Sequence, residues 1–339
     1  MQGRILLHKL AVGVEGLIDR AMRRPGARPM LDGYRGFATP DRLILRGRVL
    51  SAQRRTAPLP DQGRWANFRQ MVSLFMTDEV AGVTVRAGRE TGQSDGEGYI
   101  WLDIPREGQT PGWHQVEVMI DGDDDSATPF AVMVPSRDAK IGIISDIDDT
   151  IVQTGSWSLP RNLWTTLSGS TLSRKVHPDA VVLMDHLHAH GRNPVFYVSS
   201  SPWNLHYFLD KLFTRAGLVA GPMFLRDLGV GENHFLTGSH ADHKGAAIER
   251  ILAANPDLPF ILVGDTGQQD AHVYHSVCER AGGQIAAVVL REHGARGRAG
   301  SDDASRNAMA AMRRMGVVVE NGKDFNQAPE ALARAGIAV

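Results

Sequence analysis

Lys140-Ile-Gly-Ile-Ile-Ser-Asp-Ile-Asp-Asp-Thr-Ile-Val-Gln-Thr154 sets the architecture of this 339-residue chain. It opens as a short apolar run, Ile141 to Ile144, containing one glycine, and then releases Asp146, Asp148 and Asp149, followed by Thr150. A β-branched apolar run flanked by polar residues reads as a buried strand of a parallel sheet. Carboxylates at its C-terminal end stand where open α/β sheets bind ligands. Three carboxylates within four residues repel one another, and a divalent cation is the usual reason a fold holds them together. The competing reading, a solvated acidic turn, fits poorly after so apolar a strand.

Downstream of this stretch, apolar strand-like runs alternate with amphipathic helical ones at 180–190, 194–199, 203–216, 244–254, 260–263, 271–281 and 285–290. That βαβα order predicts an α/β domain with a mostly parallel sheet. Residues 155–178 interrupt its first crossover and are placed to form a short cap over the sheet edge. Residues 292–307 have the Gly, Ser and charged composition of a mobile loop. Upstream, strand-like segments at 42–50, 83–86, 99–104, 113–120 and 128–134 are separated by turn signals at 94–98 and 121–125. Val116, Val118 and Ile120 alternate against Gln115, Glu117 and Met119. Short, evenly spaced strands of this kind predict a small antiparallel β-sandwich, with a helical insertion at 65–76. The composition changes near Pro135. The expected organisation is an N-terminal amphipathic helix over 1–28, a β-sandwich domain over 29–136 and the α/β domain over 137–339.

The 42% hydrophobic and 22% charged shares are those of an ordinary soluble globular protein. With 37 basic residues against 38 acidic ones there is no global field suited to nucleic acid. The one cysteine, Cys278, excludes an intrachain disulfide and fits a reducing compartment. No apolar run reaches the length of a membrane span, and Lys9 and Glu15 interrupt the N-terminal apolar stretch where a signal peptide would continue. The expected location is cytoplasmic. Arg4, Lys9, Arg20, Arg23 and Arg24 accompany an apolar stripe over 4–24. Such a helix either lies on an anionic membrane surface or packs on its own protein, and both readings stand.

Four elements of the second domain carry polar groups to one place. Asp146-Ile-Asp-Asp-Thr150 ends the first strand, Val195-Phe-Tyr-Val-Ser199 ends a second, Lys244 opens a helix, and Phe260-Ile-Leu-Val-Gly-Asp265 ends a third strand five residues before Asp270. In a parallel sheet those strand ends share one edge. This order of motifs resembles the haloacid-dehalogenase superfamily of phosphotransferases. The finer spelling, Asp-Ile-Asp-Asp-Thr-Ile, Tyr-Val-Ser-Ser-Ser-Pro-Trp-Asn-Leu over 197–205, His243-Lys244-Gly and Gly264-Asp-Thr-Gly-Gln-Gln-Asp270, is similar to the actin-patch phosphatidate phosphatase family. The similarity runs from about 139 to 291, with weaker likeness at Tyr34-Arg-Gly-Phe and Gly47-Arg-Val-Leu.

The resemblance implies a Rossmann-like α/β fold with a short cap and a Mg²⁺-dependent phosphatase acting on phosphatidate. It implies Asp146 as nucleophile, Asp148 as acid and then base, and Ser199 and Lys244 as ligands of the phosphoryl group. The metal set would be Asp146, Asp265 and the main-chain carbonyl of Asp148. Thr150 and Asp270 would support them from behind. Ser200, Asn204, Arg174 and Arg226 are candidate substrate contacts. The two arginines read equally as ordinary surface or structural residues, and Asn204 equally as a helix cap. The commonest superfamily spelling has Gly where this chain has Asp149. Two other functions stay open: a phosphatase of a soluble phosphomonoester, and an interaction protein on a retained phosphatase fold. A receiver domain shares an acidic cluster, Thr and Lys, but not the Gly-Asp-x-x-x-x-Asp element.

Overall fold

The computed structural model describes residues 28–51, 80–153, 176–226, 240–267, 269–281, 283–292 and 303–339. The expected N-terminal helix, the helical insertion at 65–76, residues 155–175 of the expected cap with Arg174 among them, and residues 293–302 lie outside these.

Strands β1 (Met30–Ala38), β2 (Arg42–Leu50), β3 (Thr84–Ala87), β4 (Glu90–Gln93), β5 (Tyr99–Pro105), β6 (Gly112–Ile120) and β7 (Asp123–Val134) form one sheet in the order β4-β3-β6-β7-β1-β2-β5. Neighbours are antiparallel except β1 and β7, which run parallel through Gly36–Val132 and Phe37–Met133. The sheet curls until its end strands β4 and β5 touch, which encloses a core of Leu43, Leu45, Val85, Ile100, Val118 and Phe130. Val118 is buried and Val116 and Ile120 pack against that core, which is the face the alternation in β6 selects. β7 begins at Asp123, so part of the acidic run at 121–125 is strand, with Asp124 accepting a 2.5 Å hydrogen bond from Arg86.

The second sheet has six parallel strands. β8 (Gly142–Asp146) and β9 (Val195–Pro202) are joined through α1 (Pro178–His188), and β10 (Met223–Arg226) follows α2 (His206–Ala216). Then come α3 (His240–Ala254), β11 (Phe260–Asp265), α4 (Asp270–Arg280), β12 (Ile285–Arg291), α5 (Asp303–Arg314), β13 (Val318–Gly322) and α6 (Ala328–Arg334). The order is β10-β9-β8-β11-β12-β13. Chain progression runs one way through β9 and β10 and the other way from β11 onward. The C-terminal ends of β8 and β11 therefore flank the switch point, where such sheets open a ligand crevice.

Both faces of β8 are covered, and this is why it reads as a continuous apolar run. Ile143 enters a layer built with α1, α2 and α6, including Leu183, Leu209 and Leu332. Ile144 enters the opposite layer with Ile248, Val277 and Met312 of α3, α4 and α5. Each such buried side chain contributes about 1.5–3 kcal/mol. The lone Gly142 has a packing cause: a Cβ there would lie 2.2 Å from the Phe260 ring. Helix ends follow local chemistry. Pro178 begins α1, and Gly217 in the left-handed conformation closes α2 by donating to the carbonyls of Phe213 and Thr214.

The two sheets pack together. Phe37 and Met133 of the first join the layer containing Phe196 and Phe224 of the second. Arg46 is fully buried at this seam, over the rings of Phe37, Trp101, Trp203 and Phe224 at 5.5, 5.6, 5.4 and 4.4 Å. Burial, then the charge of Arg250, pushes its guanidinium down to about 9.

Candidate active site

β8 delivers Asp146 to the switch point as its last residue, completely enclosed. The chain then turns tightly. Asp149 donates its amide to the carbonyl of Val152 at 2.7 Å, and the amides of Ile151 and Val152 return to the carbonyl of Ile147 at 3.0 and 2.9 Å. The turn places Asp149 at φ 60°. Only glycine occupies that region without a Cβ penalty, and aspartate is among the few other residues that enter it. This gives the Gly-to-Asp departure a conformational basis. Asp149 is buried, and its charge also presses on Asp265.

Both carboxylate oxygens of Asp146 are engaged. Thr150 Oγ1 donates to Oδ2 at 2.9 Å and Lys244 Nζ donates to Oδ1 at 2.7 Å. Lys244 enters from the N-terminal part of α3 and also binds Asp270 Oδ1. Asp270, in the first turn of α4, accepts the amide of Asp265 on its other oxygen at 3.2 Å. Gly264 makes this approach possible, since a Cβ there would sit 2.5 Å from Asp270 Oδ2 and 2.7 Å from Tyr274 Oη. Asp265 ends β11 and accepts the amide of Gly267.

Asp146, Asp265 and Asp270 each offer a carboxylate oxygen, and the three oxygens lie within 4.8 Å of one another. All three residues are buried, with the single ammonium of Lys244 bonded to two of them. Burial, opposed by Lys244 and reinforced by Asp270 and Asp265, holds the Asp146 carboxyl well above the ordinary range. Burial and the charge of Asp270 push Asp265 up to about 8. Burial disfavours the Lys244 ammonium, but Asp146 and Asp270 more than offset this and raise it. An all-oxygen, anionic donor set with charge in excess of its one cation fits a hard divalent ion such as Mg²⁺.

Asp148 faces the end of β9. Its Oδ2 accepts the hydroxyls of Ser199 at 2.6 Å and Ser201 at 2.8 Å, and the Ser201 amide donates to Ser199 Oγ at 2.8 Å. Ser199 is buried, while Ser200 beside it is half-buried. The structure thus brings Asp146, Asp148, Thr150, Ser199, Lys244, Asp265 and Asp270 to one sheet edge. Arg226 lies on the same edge, at the end of β10 opposite Pro202. Asn204 is directed elsewhere: its Oδ1 accepts Arg48 Nη1 of β2 at 2.9 Å, across the seam between the sheets.

Three supports went unread in the sequence. Ser201 was hidden by the run of three serines. Tyr274 sits one helical turn after Asp270, donates to the carbonyl of Val263 at 2.9 Å and packs under Gly264. Arg291, the charge that ends the apolar run of β12, is buried; its Nε meets the Thr150 carbonyl at 3.3 Å and its Nη2 the Asp179 carboxylate at 2.8 Å. Arg291 thus ties the end of β12 to the start of α1 and to the acidic turn.

Residues 141–292 match the model for the phosphatidate phosphatase APP1 catalytic domain. Phosphatidate phosphatase APP1 of Saccharomyces cerevisiae is 32% identical over 151 residues, which are 44% of this chain and 26% of that protein. An uncharacterised protein of Schizosaccharomyces pombe is 30% identical over 165 residues, 47% of this chain and 26% of that one. The matched part is about a quarter of the length of either relative. The solved structure of a probable phosphoserine phosphatase from Vibrio cholerae aligns over 90% of this chain and 95% of that one, at 12% identity and a TM-score of 0.35.

Proposed function

We propose that the domain at 141–292, which matches the model for the phosphatidate phosphatase APP1 catalytic domain, hydrolyses a phosphomonoester through an aspartyl-phosphate, with phosphatidate as the substrate and diacylglycerol as the product. The observation that carries this reading is the setting of Asp146. It is a buried carboxylate at the switch point, fixed by Thr150 and Lys244, with two further carboxylates within reach of one cation.

In this reading an Asp146 oxygen attacks phosphorus and the bond from phosphorus to the glycerol oxygen breaks. Asp148 delivers a proton to that oxygen as it leaves. Asp148 then takes a proton from water, whose oxygen attacks phosphorus and breaks its bond to Asp146, releasing phosphate. Thr150 and Lys244 orient the attacking carboxylate and spread its charge. Ser199 and Ser201 hold Asp148 towards the strand end while Ser199, Ser200 and the neighbouring amides face the phosphoryl oxygens. Asp270 holds Lys244 in line and braces the Asp265 amide. Asp146 and Asp265, with the Asp148 carbonyl, would hold Mg²⁺, which when bound would neutralise charge developing on the phosphoryl oxygens. Arg226 stands on the rim, where a substrate phosphate or headgroup would pass.

Phosphatidate lives in a bilayer, so the enzyme meets its substrate at a membrane surface. Among the described residues no helix is long and apolar enough to cross a membrane. Phosphate release by the full chain is to be compared on phosphatidate vesicles, p-nitrophenyl phosphate and soluble phosphoesters, with Asp146→Asn and EDTA as controls. The expected result is turnover that prefers the lipid and disappears in both controls. Turnover that survives Asp146→Asn refutes the nucleophile, turnover that survives EDTA refutes the metal, and indifference to the lipid refutes phosphatidate.

A further inference from the structure

The family match begins at residue 141, yet the first sheet reaches into the catalytic machinery. Its contact point is the turn Pro202–His206, which follows directly on Ser199 and Ser201, the two residues that hold Asp148. Trp203 is clasped from the first sheet. Tyr34 stacks on it with ring centroids 4.9 Å apart and planes 9° apart, Tyr99 leans on it at 6.3 Å, and the Arg46 guanidinium covers it at 5.4 Å. Arg46 donates from Nη2 to the Arg35 carbonyl at 2.6 Å, while its Nε and Nη1 are buried with no hydrogen-bond partner among the described residues. A guanidinium so placed makes its attractions through the rings around it, one of which is Trp203. Two residues on, Arg48 donates to Asn204 Oδ1 at 2.9 Å and is itself fixed by the Glu97 carbonyl at 2.8 Å and the Tyr99 ring at 4.4 Å. His206 packs on Tyr34 at 4.3 Å.

Leu205 anchors the turn in the core of the second sheet, while the other sides of Trp203 and Asn204 are held from the first. From these contacts we infer that the first sheet is a positioning element of the active site: Arg48 through Asn204, with Arg46 and Tyr34 through Trp203, sets the turn that aims Ser199, Ser201 and hence Asp148 at the phosphoryl group. This rests on the phosphatase reading, because it assigns the turn's geometry a catalytic consequence. Arg48 and Asn204 touch no reacting atom. They act through the turn.

The test compares the full chain with Arg48→Met, Asn204→Ala, the double variant and Arg48→Lys. Two measurements are made: p-nitrophenyl phosphate kinetics, and hydrogen exchange of segments 199–206, 142–146 and 260–265. Displacing a catalytic group by ~1 Å costs about a hundredfold, so each single variant is expected to lose at least about tenfold in kcat, with KM changed less. The double variant is expected to be no worse than the single ones, because both remove one contact. Arg48→Lys, which keeps a donor, is expected to recover part of kcat. Exchange should rise in 199–206 alone. Unchanged kcat, additive losses, or protection lost evenly across all three segments would overturn the inference. Failure of the phosphatase reading looks different: the unmodified chain then shows no turnover, and the exchange pattern still decides whether the first sheet holds the turn.

Discussion

Asp265→Asn isolates the electrostatic cost built into the site. In the metal-free protein, burial and the neighbouring charge of Asp270 lift the Asp265 carboxyl to about 8, against about 4 for an ordinary aspartate. Between those values the folded chain holds a proton that the unfolded chain has already released. Stability therefore falls as pH rises across that window, by about 1.4 kcal/mol per pH unit for one group. From pH 5 to pH 7 the loss attributable to Asp265 is on the order of 3 kcal/mol. Asp146 is raised in the same direction and steepens the fall. Lys244, also raised, contributes stability that is fully present below its unfolded value, and it is constant over this range. Asp179 is depressed, chiefly because the Phe325 amide and Arg291 outweigh its burial; its contribution is lost only as pH drops through the acid range. Urea melts in EDTA at pH 5, 6 and 7 read the total, and the difference between the unmodified chain and Asp265→Asn reads this one group. A divalent ion takes the place of the proton, so Mg²⁺ should flatten the unmodified chain's profile. Its affinity should rise up to about tenfold per pH unit as one proton is displaced. Parallel pH profiles for chain and variant in EDTA, or no effect of Mg²⁺ on either, would refute the argument.

Two further substitutions probe the backbone of the site. At Asp149, where φ is 60°, Asp149→Gly should be at least about 1 kcal/mol more stable than Asp149→Val in thermal melts, and it should lower the pH at which the Asp265 slope ends, since the Asp149 charge raises Asp265. Equal stability of the two variants would show that the turn is not held in that conformation. Gly264→Ala would bring a methyl to 2.5 Å from Asp270 Oδ2, displacing Asp270 from Lys244 and from the Asp265 amide. Turnover should drop at least about tenfold with circular dichroism unchanged, and full activity would mean that Asp270 has no positioning role.

The catalytic sheet was legible because its strands are buried on both faces and announce themselves as apolar runs ending in polar residues. β8, β9, β11 and β12 all have that form, and the strand-end rule places Asp146, Ser199 and Asp265 together from the sequence alone. Strands without such a signature escaped. β4 is Glu-Thr-Gly-Gln, a polar edge strand, and β10 has only four residues. β1 carries Gly33, Gly36 and two charges where a strand pattern would be apolar. The first sheet was expected as an antiparallel sandwich from its alternation, and alternation identifies a face but not which strands pair. The parallel pairing of β1 with β7 and the closure of β4 on β5 depend on long-range contacts that no local pattern encodes. Asn204 shows the same limit at the level of one side chain. Its place in the motif pointed to the phosphate, and a partner 156 positions away, Arg48, takes its amide oxygen.

The site's arrangement of charge follows from what each carboxylate can find as a partner. Asp270 meets an ammonium and a backbone amide, so its charge is matched within the fold. Asp146 meets the same ammonium and one hydroxyl, yet burial and its acidic neighbours still hold its proton affinity high. Asp265 meets the Gly267 amide and sits under the field of Asp270 and Asp149. The deficit is therefore localised on the two residues at the ends of adjacent strands, β8 and β11, on either side of the switch point. A fold selected for stability alone would place Asn or Ser at such positions, because a neutral side chain carries a far smaller desolvation penalty there than a carboxylate. Retaining two carboxylates held above their ordinary range costs stability at every pH above their unfolded values, and a bound cation would offset that cost. On the mechanism proposed above, the same deficit would draw a divalent ion to the pocket and keep Lys244 charged for the phosphoryl group, so the feature that weakens the fold would be the one that prepares Asp146.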